Sequence, residues 1–371
     1  MKIKKQIDWP VALFLTLNPI VGLTLFFVYI YFFDTTVAMW IVFLVFAALT
    51  NLSITAGYHR LFAHRSYETN TFMKFILLFF GSSAFQGPAL KWASDHRRHH
   101  SHIDTEKDPY SIKKGFWYAH MGWLFYKESV DLAIKAPDLE KDRLIQHQNK
   151  HYLLWSIGTG FLVPVLIGLF FGAPLGGLII FGSLRIFLTQ QSTFFVNSLC
   201  HTLGEQTYSK EISARDSFIV AILTHGEGYH NFHHQFQLDY RNGIRWYHWD
   251  PTKWMIQLMK LFGMAKKLKT IPAQEILKAK LNSEAKWLEA KGISAEKIET
   301  LKLKILETQN KVKKFKEEYQ QTQAAWKNSS QEKWNEVQLQ IEEMKLNIKR
   351  AKAEFNFALK EWQMYTQLAT A

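Results

Sequence analysis

Apolar residues crowd the first half of the chain in long runs, then thin to a spacing of threes and fours in the last quarter. Trp9 to Phe33 is almost wholly apolar and long enough to cross a bilayer. Asp34, Thr35 and Thr36 make a polar turn, and Val37 to about Ala56 leads back. A second pair, Tyr152 to Phe171 and Leu175 to Val196, is joined tightly by Gly172, Ala173 and Pro174. The pattern therefore predicts four transmembrane helices, at about 9–33, 37–56, 152–171 and 175–196. Phe72 to Phe85 is also apolar, but it is short and interrupted by Gly81, with Gly87 and Pro88 following. It predicts an interfacial or half-buried helix. No small-residue cleavage site precedes Phe33, so the first run reads as a retained span, not a signal peptide. Lys2, Lys4 and Lys5 place the N-terminus in the cytosol. An even number of spans returns the C-terminus to the same side, and residues 57–150 and 202–269 become a cytosolic cap.

From Ile271 onward Lys, Glu, Gln and Ala dominate. Ile298, Leu301, Ile305, Val312, Phe315 and Tyr319 recur at helical spacing, and the pattern restarts at Trp334 after Asn328, Ser329 and Ser330. Ser329 with Glu332 resembles a capping box. This stretch predicts a two-helix coiled-coil hairpin or one strand of an oligomer, with self-association through residues 294–365 left open. The expected fold is all-α: four transmembrane helices with a cytosolic helical metal-binding cap (residues 1–269) and a charged coiled-coil tail (residues 270–371).

Composition sharpens this picture. Of 371 residues, 48% are hydrophobic and 15% aromatic, as suits a membrane protein with interfacial aromatic belts. The mean hydropathy of −0.13 averages an apolar first half with a charged tail. A single cysteine, Cys200, excludes an internal disulfide framework and Cys-based zinc or iron–sulfur sites. The net charge of +13 fits a lysine-rich face against an anionic bilayer. It also allows an acidic partner or a phosphate-bearing substrate, and no nucleic-acid partner is expected. Arg185 falls near the middle of the fourth span, which predicts an inward-facing side chain with a partner not yet named.

The chemistry lies in the histidines. His96, His99 and His100 stand at i, i+3 and i+4, a spacing that shares one helix face. His230, His233 and His234 repeat it, and His59 and His64 form a third group. His201 follows Asn197 by four residues. Nine imidazoles overfill one metal but suit two at four to five ligands each, and without thiolates they favour iron, zinc or copper. His102, His120, His147, His151, His225 and His248 lack this spacing and are left unassigned. Ligating imidazoles pass their second N–H to an acceptor, and Asp95, Glu227, Asp104 and Asp108 are the nearest acids.

At these motifs the chain resembles the membrane-bound fatty acid desaturases, and within them the Δ9 acyl-CoA (stearoyl-CoA-like) branch. The resemblance runs from about residue 10 to about residue 265 and includes Asp108–Tyr110, Lys114–Trp117, His120–Trp123 and Asp239–Arg241. It implies both termini in the cytosol and two iron ions held by His59, His64, His96, His99, His100, His201, His230, His233 and His234, with Asn197 acting through water. It implies a fatty acyl-CoA substrate in a bent tunnel, with Trp92, Gln86 and Thr193 at the bend, O2 as oxidant and a cis double bond as product. Ala47 and Ala48 could let the tunnel run deep into the second span. Ser94 and Gly87 depart from the family at the carrier end, which leaves CoA thioester and lipid-bound acyl chains both open. A fused haem segment is absent, so electrons are expected from a separate cytochrome b5-, ferredoxin- or rubredoxin-like donor. With no retention signal, a bacterial inner membrane is expected over endoplasmic reticulum. Purified protein could carry zinc, which takes the same ligands. The competing readings are an acyl-lipid desaturase, a hydroxylase on the same scaffold, a metal carrier, and a membrane scaffold working through its coiled coil.

Overall fold

The computed structural model describes residues 6–127, 135–326 and 334–369, with the side chains of residues 334–336 left aside. Lys2, Lys4 and Lys5, and the expected capping box at Ser329 and Glu332, lie outside the described residues. The chain is helical almost throughout. Its only strands among the described residues are Glu68–Thr69 and Ala265–Lys266, which pair antiparallel.

Among the described residues four helices are long and apolar enough to cross a membrane: α1 (Trp9–Phe32), α2 (Val37–Ala63), α3 (Tyr152–Phe170) and α4 (Pro174–His201). Local signals explain their ends. Thr36 accepts from the Met39 backbone N–H at 3.2 Å and caps α2, as a β-region threonine does. α3 and α4 approach closely where Gly168 meets Gly177. A Cβ on Gly177 would lie 2.8 Å from Gly168 Cα and 2.3 Å from Pro164 O, so only glycine allows this contact. The apolar run after α2 forms a shorter helix, Thr71–Ser82, capped by Asn70 and half-buried, with Phe72 and Phe75 exposed and Leu77 and Leu78 buried.

The apolar pattern ends the second span near Ala56, with its helix carrying His59 if it runs on past the lipid. It runs to Ala63, and from Ser53 to Ala63 its turns widen to π-helix. In that geometry the backbone bonds i to i+5, and the His64 N–H donates to His59 O at 3.0 Å. Five residues make a little over one π turn, so His59 and His64 share a face. On an α-helix they would diverge by about 140°.

Arg185 is fully buried, and its partners are neutral. Nε donates to Phe181 O at 2.7 Å, one terminal nitrogen to Thr50 Oγ1 at 3.1 Å and Ser83 Oγ at 3.3 Å, and the other to Ser83 O at 3.0 Å. The guanidinium also sits 4.4 Å from the Phe46 ring centre. The residue thus ties α2 and α4 to the segment that follows Ser82.

The described helices fall into two compact units, Met1–Gln206 with Lys210–Ile271, and Pro272–Ala371 with Thr207–Ser209. The second unit holds α-helices at Ala273–Ala290, Ala295–Trp326 and Trp334–Leu368. Lys304 pairs with Glu361 at 3.2 Å and Lys311 with Glu354 at 3.9 Å. Seven residues up one helix are matched by seven down the other, so the last two helices run antiparallel. Leu281, Leu288, Ile305, Ala358 and Trp362 form the core of this unit.

Replacing Arg185 by Leu should lower stability by about 1–3 kcal/mol, because the buried Ser83 carbonyl loses its donor. Thermal unfolding in detergent measures this. Arg185→Lys should recover little of the loss, since an ammonium cannot span the same acceptors.

Candidate metal centre

The nine histidines singled out in the sequence gather into two groups. His59, His64, His96, His100 and His233 form one; His99, His201, His230 and His234 form the other, with candidate ligand atoms in each within 4.8 Å of one another. They come from the end of α2, the helix Ala89–His102, the turn Leu199–His201 and the helix His230–Gln235. The i, i+3, i+4 spacing divides the same way in both boxes. His96 and His100, at i and i+4, join the first group while His99 crosses to the second. His230 and His234 join the second group while His233 crosses to the first.

Inside the first group Nε2 atoms lie 3.0 Å apart for His59 and His233, 2.9 Å for His64 and His96, 3.1 Å for His96 and His100, and 3.0 Å for His100 and His233. In the second, His230 and His234 are 3.0 Å apart and His99 and His234 3.3 Å. Which ring donates in each contact depends on its tautomer. His59 Nδ1 lies 2.9 Å from Glu227 Oε2, and His99 Nδ1 lies 2.9 Å from Asp108 Oδ1. A neutral ring that donates from Nδ1 to a carboxylate keeps only a lone pair at Nε2. Where the partner ring also turns its lone pair inward, the two nitrogens are placed to share a cation. Bonds of about 2.1 Å at right angles separate ligand nitrogens by about 3.0 Å, and tetrahedral bonds separate them by about 3.4 Å. The first group matches the square arrangement.

Burial, reinforced by neighbouring imidazoles, holds His64, His96, His100, His230, His233 and His234 well below the usual imidazole range. They are neutral at pH 7, the state that ligates.

An outer layer fixes the rings. Burial pushes the Glu227 carboxyl up, but His59 and Arg60 outweigh it and hold it down to about 2. Arg60 donates to Glu227 at 3.0 Å and, through both terminal nitrogens, to Asp250 at 3.0 and 3.1 Å. Asp250 also accepts backbone N–H bonds from Asn242, Gly243 and Lys253. Tyr110 Oη stands 3.1 Å from His96 Nδ1. Of the four acids named from sequence, Glu227 and Asp108 touch ligand-type rings. Asp95 pairs with Lys91 at 2.6 Å, and Asp104 touches none of the nine directly. Arg60, Tyr110, Asn242 and Asp250 were not anticipated; the one sequence signal was the position of Arg60 beside His59. His120 stands outside both groups, between Ser198 and Gln191. His102, His147, His151, His225 and His248 also lie outside.

A cavity of about 1020 Å³ adjoins the first group, with His59 and His96 in its wall. Its lining mixes apolar residues, among them Leu15, Ile54 and Phe85, with basic ones such as Lys107 and Lys114 and acidic ones such as Glu106 and Asp108. Gln86, Trp92 and Thr193 meet in its wall. Trp92 Nε1 donates to Gln86 Oε1 at 3.3 Å, and Gln86 Nε2 donates to Thr193 Oγ1 at 2.8 Å. The Trp92 ring stacks on His96 at 5.1 Å. Asn197 lines the same cavity. Ala47 and Ala48 do not; the lining from the second span begins at Asn51, one helical turn further on.

Residues 34–262 match the family model for fatty acid desaturase. Over 247 residues the chain is 44% identical to acyl-CoA desaturase 1 of Saccharomyces cerevisiae, covering 66% of this chain and 48% of that protein. It is 34% identical over 269 residues to sn-1 stearoyl-lipid 9-desaturase of Anabaena variabilis, covering 72% of this chain and 95% of that one. It is 35% identical over 241 residues to stearoyl-CoA desaturase 5 of Homo sapiens, covering 62% and 73%. The chain belongs to the fatty acid desaturase family. It spans about half the length of the yeast relative. All nine grouped histidines and the cavity wall at Gln86, Trp92 and Thr193 fall inside the desaturase match.

Replacing Glu227 by Gln removes the charge that orients His59 and faces Arg60. Metal affinity should fall by about 10- to 100-fold, measured by equilibrium dialysis of the purified desaturase against ferrous iron.

Proposed function

We propose that the protein is an O2-dependent fatty acyl desaturase that inserts a cis double bond into a saturated long-chain acyl group at a centre of two iron ions. The single observation that carries this reading is the division of nine imidazoles into two adjacent groups beside an apolar cavity. The five-nitrogen first group, with its near-right-angle spacings, favours iron over tetrahedral zinc, although zinc could occupy the same ligands in purified material.

The reaction removes two hydrogens from neighbouring methylenes whose C–H bonds no side-chain base can ionise. The metal pair, when bound, supplies the oxidising power that the side chains lack. O2 takes up the two substrate hydrogens together with two electrons and two protons, leaving two waters. The residues of the chain do the rest. The apolar wall at Leu15, Ile54 and Phe85 excludes water and holds the acyl chain extended. Gln86, Thr193 and Trp92, linked by their hydrogen bonds, set the bend beside His96 and so choose which carbons approach. Asn197, in the cavity wall, would reach one of the two metal ions through water.

The yeast and human relatives, acyl-CoA and stearoyl-CoA desaturases by name, support acyl-CoA as substrate, and the Anabaena relative, a 9-desaturase by name, supports position 9. A lipid-bound acyl chain is the second reading, favoured by the Anabaena relative, which the alignment covers nearly end to end. Electrons come from a separate donor of the cytochrome b5, ferredoxin or rubredoxin kind. Both termini face the cytosol. For the compartment, the Anabaena relative supports a bacterial membrane, while the yeast and human relatives support endoplasmic reticulum; four spans suit both.

Expression in cells that lack unsaturated fatty acids tests this directly. Mass analysis and double-bond mapping should show lipids lighter by two hydrogens, with the bond at carbon 9. A gain of oxygen would instead establish a hydroxylase. His99→Ala and His233→Ala, one from each group, should each abolish the product while the protein still inserts; activity in either would refute the metal assignment.

A further inference from the structure

His201 differs from the other eight imidazoles. It lies in the last turn of α4 and has no other grouped histidine within five positions. What holds its ring is a chain of side chains. His201 Nδ1 lies 2.7 Å from Ser213 Oγ. Ser213 Oγ lies 2.6 Å from Asp104 Oδ1, and the Ser213 backbone N–H donates to Asp104 Oδ2 at 2.7 Å. A hydroxyl has one proton, and a carboxylate can only accept. The 2.6 Å contact takes that proton, so Ser213 can only accept from His201, and His201 Nδ1 carries hydrogen. The lone pair is thereby placed on Nε2. That atom is buried and has no hydrogen-bond partner among the described residues. Its ring lies 4.9 Å from His230 and 5.5 Å from His99.

Asp104 is itself held in place. Its backbone is left-handed, at φ 59°, and its N–H donates to Asp108 Oδ2 at 3.1 Å. Asp108 Oδ1 holds His99. One turn of chain, residues 104–108, therefore steadies two imidazoles of the second group, His99 directly and His201 through a serine 109 residues away from Asp104. In the first group, by contrast, Glu227 and Tyr110 reach His59 and His96 with no intermediary.

Resting on the two-metal reading above, we propose that Asp104 and Ser213 are positioning residues for the second metal alone. They act by fixing the tautomer and orientation of His201. A carboxylate acting through a hydroxyl restrains the ring while leaving it further from full negative charge than His59 or His99. The two metals thus acquire unequal surroundings.

The test is a titration of the metal-free full chain, in detergent, with cobalt(II), followed by visible absorption and by metal content. Wild type should take up two cobalt ions. Ser213→Ala, and Asp104→Asn, which tolerates the left-handed backbone, should weaken one of the two by about 10- to 100-fold and remove part of the cobalt spectrum. The other ion should stay at wild-type affinity. Ser213→Thr, which keeps the hydroxyl, should restore both. Two ions at unchanged affinity and spectrum in Ser213→Ala and Asp104→Asn would overturn this assignment alone. Loss of both ions together in Ser213→Ala, unrepaired by Thr, would overturn it too, because that is general collapse. Fewer than two ions in wild type would overturn the two-metal reading, and this assignment with it.

Discussion

Two imidazole nitrogens that face each other lone pair to lone pair repel unless something positive sits between them. This protein concentrates nine such rings in two neighbouring clusters from which water is largely excluded. Burial favours the neutral form of His64, His96, His100, His230, His233 and His234. Asp108 holds the outward nitrogen of His99, and Glu227 stands 2.9 Å from that of His59. Both placements leave the inward nitrogens of these two rings available to a metal. The surrounding architecture is best understood as the restraint that this demands.

That restraint is strongest around Arg60. Its guanidinium is almost fully buried, bridges Glu227 and Asp250, and links the end of the second span to the loop that carries Asn242 and Gly243. Asp250 also caps the helix Pro251–Leu261. One carboxylate therefore serves a helix start, a loop and a buried cation at once. Removing any member would leave another charged and unpaired in a region of low dielectric. Arg185 solves a related problem within the span by other means. It has no acid, and instead shares its donors among two hydroxyls, two carbonyls and an aromatic face. A guanidinium suits both tasks because its five donors are fixed in a plane.

The boundary between lipid and water also orders the chemistry. The second and fourth spans deliver His59 and His201 at their ends, and the cavity reaches back from the histidines to Asn51 and Ile54 inside the second span. The cavity lining combines apolar residues such as Leu15 and Ile54 with charged ones such as Lys107, Lys114 and Lys127. The second unit is held by its own contacts. Its ladder of Lys304–Glu361 and Lys311–Glu354 closes one helix on the next within a single chain.

Much of this was legible before any coordinates. Apolar run length located four spans, because a bilayer core imposes a minimum length that soluble helices do not need. The spacing of His96, His99 and His100, and of His230, His233 and His234, announced two clustered faces, because side-chain direction on an α-helix depends on local geometry alone. Three things were not legible. His59 and His64, five apart, converge only because the helix widens into π turns, which depends on what packs around Ser53–Ala63 and leaves no composition mark. Which ring of each triplet crosses to the other group depends on how two distant helices meet. The partners of Arg185 and Glu227, and the Asp104 that holds Ser213 beside His201, were hidden for the same reason. A hydrogen bond between residues more than a hundred positions apart is set by where the folded backbone brings them, and no spacing along the chain encodes that.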